Sequence, residues 1–192
     1  MKIGFLGGSF DPVHLGHLIA AQDALEQHAL DRVILVPAAQ SPLKPSVAQC
    51  PAAGRLAMAR AAIGRDKRFE VSDHELRRGG ISYTIDSARH FKKLYPRDRL
   101  HWIIGADQLA RLHQWREIGE LVKLVEFICL ARPGHPARTR AGVPGLRLHH
   151  CGGRLVDISS TELRERARHG LPLDFFMPRK AIELIRKKGF YR

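Results

Sequence analysis

The chain of 192 residues carries 32 Lys and Arg against 19 Asp and Glu, a formal charge of +13, with 44% hydrophobic and 27% charged residues. This balance argues against a disordered chain, since it can bury one core of about one domain's size, and no apolar run approaches membrane-spanning length. Cys50, Cys129 and Cys151 are an odd set without CxxC spacing, which argues against a disulfide framework or a zinc knuckle and leads to the expectation of a reducing, cytoplasmic compartment.

In chain order, Lys2 to Leu6 and Arg32 to Val36 are short apolar runs that stop at Gly or Pro, as buried strands do. Between them, Leu15 to Leu30 puts Leu18, Ala21, Leu25 and Ala29 on one helical face, completing a βαβ unit. GRLAMARAAIG then predicts a helix, FEVSD a strand, and YTIDSARHFKKLY a helix stopped by Pro96. LHWIIG predicts a strand, EIGELVKL a short helix, and VEFICLA a strand ended by RPG. From Gly134 to Gly153 the spacing places only a short strand, around Leu146 to His149. SSTELRERARHG predicts a helix ending at Gly170, and PRKAIELIRKKG a last one with Pro178 at its start and Gly189 as its stop. The alternation implies an α/β fold with a mainly parallel sheet, helices on both faces, and one domain over 1–192 whose part from about 158 to 192 is helical.

The positive charge points to a negative partner, but the basic residues are scattered without a block or a basic-aromatic stripe, so nucleic acid is not the expected partner. The stretch HHC, His149 to Cys151, would put His149 and Cys151 on one strand face. No third and fourth ligand is evident in the sequence, and no resident metal site is expected there.

The opening GGSFDPVHLGH offers a tight turn or a phosphate site. Gly7 and Gly8 would let backbone N–H groups approach an anion at the carboxyl end of the first strand, where open parallel sheets bind ligands, and the following helix points its positive end there. His14 and His17 would share the first turn of that helix, with Gly16 keeping the space between them open. In ISSTELRER, Ser159 and Glu162 read as a capping box, Glu162 and Arg166 as an i,i+4 pair, while Ser160 and Arg164 lie one turn apart at a positive helix end.

These stretches carry a resemblance. GGSFDPVHLGH strongly resembles the signature of the nucleotidyltransferase superfamily, whose HxGH motif, here His14 to His17, binds the phosphates of ATP; ISSTELR resembles the ISSTxxR motif of its adenylyltransferases. RGGISYTIDSA, WIIGADQLARLHQW and RPG look like the pattern of the bacterial nicotinate-nucleotide adenylyltransferases. The resemblance implies a Rossmann-like fold and adenylyl transfer from ATP to nicotinate mononucleotide, giving nicotinate adenine dinucleotide (deamido-NAD) and pyrophosphate. By residue, it implies ATP contacts at Gly7, Gly8, Ser9, Phe10, Gly16, His17, Gly105, Asp107, Ile158, Ser159, Ser160, Thr161 and Arg164. Nicotinate-nucleotide contacts are implied at Ser82, Tyr83, Thr84, Trp115, Lys44 and Arg132, and catalysis at His14, His17, Arg164 and Lys44.

The acceptor this resemblance implies is a pyridinium carrying a carboxylate, which an aromatic face such as Trp115 and a helix start such as Ser82 to Thr84 would suit. Mg2+ is expected to arrive with ATP, because no carboxylate cluster suggests a protein cage. Ser9 stands where many relatives have Thr, and SPLK departs from the usual lysine loop. Nicotinamide mononucleotide or phosphopantetheine as acceptor, and a basic nucleic-acid-binding α/β module, are the alternatives.

Overall fold

The computed structural model describes residues 1–42, 48–131, 142–154 and 156–192. Its first crossover runs from β1 (Lys2–Gly8) through α1 (Leu15–Gln27) to β2 (Arg32–Pro37), which pairs parallel to β1. There follow α2 (Ala52–Ile63), β3 (Phe69–Val71), α3 (His74–Arg78), α4 (Thr84–Leu94), β4 (Arg99–Gly105) and α5 (Ala106–Leu109). After a 3-10 turn at Leu112–Gln114 come α6 (Ile118–Leu124), β5 (Glu126–Leu130), β6 (Leu148–Cys151), α7 (Ser160–Arg168) and α8 (Arg179–Lys188).

The six strands lie in the order β3-β2-β1-β4-β5-β6, and all five pairings are parallel. This is the Rossmann-like α/β arrangement, with helices on both faces. Strand alternation explains why the runs are apolar throughout: Ile3 and Phe5 enter one core with α4 and α6, while Leu6, Val33, Leu35 and Ile128 enter the other with α1, α2 and α8. Gly4 sits where a Cβ would come within 2.7 Å of Leu30, so the chain leaving α1 closes directly onto the sheet.

Three details differ from the sequence reading. α1 ends at Gln27 rather than Leu30, because Ala29 turns into the left-handed region (φ 49°) to bring Leu30 back to the sheet. The last strand is Leu148–Cys151, two residues later than expected, fixed by its pairing along β5. The sequence reading assigns no element to α3 or α5; at five and four residues they are too short for a periodic signal and are set by their surroundings.

Strand order reverses between β1 and β4, whose carboxyl ends therefore open a crevice. α8 packs on α2 and carries the chain end back toward it. Among the described residues no helix is long and apolar enough to cross a membrane.

Candidate active site

A cavity of about 630 Å³ occupies that crevice. Its wall holds the whole opening set, Gly7, Gly8, Ser9, Phe10, His14, Gly16 and His17, together with Gly105 and Asp107 from the end of β4 and Ile158, Ser159, Ser160, Thr161 and Arg164 from the start of α7. Segments about 150 residues apart in sequence thus face one space.

The glycines serve packing as well as access. A Cβ on Gly7 would lie 3.3 Å from the Trp102 ring, and one on Gly8 3.2 Å from the Phe10 ring. Phe10 itself is buried and held at φ 47°, an uncommon conformation for a non-glycine residue, so the loop leaving β1 is forced into a sharp bend.

His14 is the N-cap of α1 rather than part of its first turn, and His17 is the third helical residue. Their rings are 3.7 Å apart between centroids, and a Cβ on Gly16 would come within 3.0 Å of His14 Nδ1. Gly16 is therefore what lets His14 fold over the helix start. The His14 backbone N–H donates to His17 Nδ1 at 3.3 Å. In the neutral ring that acceptor role places the proton on Nε2, leaving His17 a donor at its far nitrogen.

The second motif straps the first. Arg164 donates to the Asp11 carbonyl at 2.8 Å and to Thr161 Oγ1 at 3.1 Å, and Ser160 Oγ donates to the Pro12 carbonyl at 2.9 Å. Ser159 caps α7 by accepting from the Glu162 N–H, as expected. The expected Glu162–Arg166 pair is replaced, because Arg166 donates instead to the Pro172 carbonyl.

Ser82, Tyr83, Thr84 and Trp115 are not part of this cavity wall. Ser82 is buried, and its hydroxyl accepts from the Ala39 N–H at 2.9 Å while its own N–H donates to the Gln40 carbonyl, so it holds two residues that do line the cavity. Tyr83 caps α4 and lies beneath the Arg116 guanidinium, 4.7 Å from its ring centre. Trp115 packs half-buried on the core, edge to face with Phe127. Lys44 and Arg132 lie outside the described residues.

A family model described as cytidylyltransferase-like matches residues 5–166. A probable nicotinate-nucleotide adenylyltransferase of Opitutus terrae is 66% identical over 192 residues, covering 100% of this chain and 98% of that one. One from Thermus thermophilus is 43% identical, covering both chains in full. The chain belongs to the nicotinate-nucleotide adenylyltransferase family. A solved Plasmodium falciparum nicotinic acid mononucleotide adenylyltransferase, complexed with NaAD, shares this adenylyltransferase's fold at a TM-score of 0.80 and 21% identity, covering 99% of this chain and 97% of that one.

Sequence reasoning missed three residues that shape the site of this adenylyltransferase. Arg55 is buried, and its guanidinium donates to the carbonyls of Ser9 and Ala38 at 2.7 Å and of Cys50 and Ala39 at 3.3 and 3.4 Å. Burial lowers its pKa, opposed by the nearby Asp11. A signal existed: Arg55 shares the buried face of α2 with Met58 and Ala59, an unusual place for a cation. Asp11 accepts from the Gln49 and Cys50 N–H groups and from Tyr191 Oη at 2.7 Å. Burial, reinforced by that bond to Asp11, pushes the Tyr191 phenol far up, so it stays a neutral donor. No local pattern announces a contact between positions 11 and 191.

The donors around the cavity suit phosphate oxygens better than a resident metal. Both Asp11 carboxylate oxygens are engaged, and among the described residues no trio of ligating side chains gathers at the cavity. Enzymes of this kind use a divalent ion together with ATP.

Proposed function

We propose that the protein joins ATP to nicotinate mononucleotide, giving nicotinate adenine dinucleotide and pyrophosphate. The observation that carries this reading is full-length 66% identity to a relative of that name, with both motif segments on one cavity. The neighbour solved with NaAD adds support, since that product contains both halves of the proposed reaction.

An oxygen of the mononucleotide phosphate attacks the α-phosphorus of ATP; the bond from that phosphorus to the bridging oxygen breaks, and pyrophosphate leaves in line. The attacking phosphate is already ionised near neutral pH, so no general base is needed, and catalysis consists of alignment and charge stabilisation. His17 donates from Nε2 to the charge growing on the α-phosphate, and His14 assists. Arg164 and Lys44 hold the β- and γ-phosphates, with the amides of residues 7–10 and the α7 start at Ile158 to Thr161 receiving the rest. Gly105 and Asp107 take the adenosine side. Ser82, Tyr83 and Thr84 with Trp115 and Arg132 take the pyridine, the start of α4 facing its carboxylate and Trp115 its ring. Mg2+ would come with ATP rather than be held by residues of the chain, and would supply neutralisation of the phosphate charge. The same reading takes 1–192 as one nucleotidyltransferase domain, closed by its C-terminal helical part, and places it in the cytoplasm, where three free buried cysteines stay reduced.

The test is pyrophosphate release from ATP with each acceptor in turn. Nicotinate mononucleotide should react at the highest kcat/KM. Faster reaction with nicotinamide mononucleotide or phosphopantetheine would overturn the acceptor, and salt-dependent binding of RNA with no pyrophosphate from any acceptor would overturn the enzyme reading.

A further inference from the structure

The opposite edge of the sheet holds a second cluster of chemically capable side chains. His101 near the start of β4, Glu126 at the start of β5 and His149 near the start of β6 project from the same sheet face on three neighbouring parallel strands. His149 Nε2 lies 2.7 Å and His101 Nε2 3.8 Å from the same carboxylate oxygen, Glu126 Oε2, and one ligating atom from each of the three residues falls within 4.8 Å of the others. We propose that this trio is a binding site for a divalent transition metal, with zinc as its type.

Two imidazoles and one carboxylate form a nitrogen-rich, borderline-soft donor set that favours zinc, cobalt or nickel over magnesium and calcium. Metal–ligand bonds of about 2.0–2.2 Å in a tetrahedral site put ligand atoms about 3.3 Å apart. The two separations to Glu126 straddle that value and the one between the imidazoles is at most 4.8 Å, so the His149 contact opens by about half an ångström while His101 and His149 close on the shared point by side-chain rotation. The other Glu126 oxygen, Oε1, is ion-paired with Arg147 at 3.3 Å, which leaves Oε2 toward the two imidazoles. His101 is buried, while the His149 side chain is 43% exposed, giving an entry path and room for water as a fourth ligand. Lys2 and Arg147 oppose a cation, and the Glu126 charge offsets only part of this, so the affinity expected is modest. The sequence showed His149 without its partners, because they come from strands 23 and 48 residues earlier. Metal here would cross-link β4, β5 and the edge strand β6 far from the nucleotide cavity.

The full chain, stripped with EDTA, is titrated with Zn2+ by calorimetry and with Co2+ by visible absorption. Expected are one equivalent bound, a four-coordinate cobalt spectrum, a higher melting temperature with zinc that EDTA reverses, and affinity weakened about tenfold or more in both His149→Gln and Glu126→Gln. His149 is exposed enough for its variant to stay folded, which its melting temperature in EDTA checks. No stoichiometric binding, or binding unchanged in His149→Gln, overturns the proposal; so does loss of binding in His90→Gln alone, which would assign the metal to the stacked His74–His90 pair.

Discussion

Across the cavity at the carboxyl ends of β1 and β4, residues 7–17 and 158–164 hold one another through side chains bonded to backbone: Arg164 to the Asp11 carbonyl, Ser160 to the Pro12 carbonyl, and Arg55 from beneath to the Ser9 carbonyl. Residues 83 and 115–116 are assembled differently, with Arg116 over the Tyr83 ring and Trp115 against Phe127. Backbone straps fix the path of a loop whatever its side chains do, which suits a site for phosphates recognised by amides and fixed donors. Side-chain packing fixes only shape, which suits recognition of one ring among several acceptors.

The difference predicts how each side breaks. His17→Ala should lower kcat about 100- to 1,000-fold in the pyrophosphate assay while leaving the urea midpoint near that of the parent, the scale of a lost charge-stabilising donor; near-normal turnover would remove His17 from the role assigned to it. Arg55→Met strands carbonyls around the Ser9 loop and should cost about 3 kcal/mol of unfolding free energy, with turnover falling because the loop loses its path. An unchanged denaturation curve would show that the loop holds without it.

Tyr191→Phe deletes one buried hydroxyl and leaves an Asp11 oxygen short of a donor, for about 1–2 kcal/mol by urea denaturation. On the other side, Trp115→Leu keeps apolar packing but removes the aromatic face. It should raise KM for nicotinate mononucleotide about five- to tenfold, with KM for ATP unchanged, as expected for about 1 kcal/mol of cation–π contact. Equal changes in both KM values would mean a structural role for Trp115.

The smallest effect lies outside both sides. His74 and His90 stack at 3.6 Å, and burial lowers both pKa values from 6.5, helped at His74 by repulsion from His90. The folded state thus binds fewer protons than the unfolded state, so stability is full above about pH 6.5 and falls as pH drops toward the lowered folded values. Urea midpoints should decline over that range, and His90→Gln should flatten the decline; a parent profile already flat would contradict the shifts.

Much of this was readable in advance, for reasons that particular elements show. Strands β1, β2, β4 and β5 are apolar on both faces and stop at Gly or Pro or soon after, so a mainly parallel sheet was expected from pattern, though not the parallel pairing of β3 and β6 at its two edges. His14, Gly16 and His17 sit within one turn, where local geometry brings them together without tertiary help. The Ser159 cap was equally local. Arg55 showed as a charge on an apolar helix face, but not what it binds, since Ser9 and Ala38 reach it only through the folded chain.

By itself, then, the sequence determined the α/β class, the order of the strands and of the longer helices, the histidine pair and the family, because each depends on short-range periodicity, turn chemistry or contiguous motifs. Tertiary structure alone decided that all the strands run parallel, that Asp11 is tied to Tyr191, that Arg164 grips the loop before His14, and that His101, Glu126 and His149 converge. Each of these joins residues separated by at least 20 positions, and what brings them together is the burial of two apolar sheet faces at once, which no local window of sequence contains.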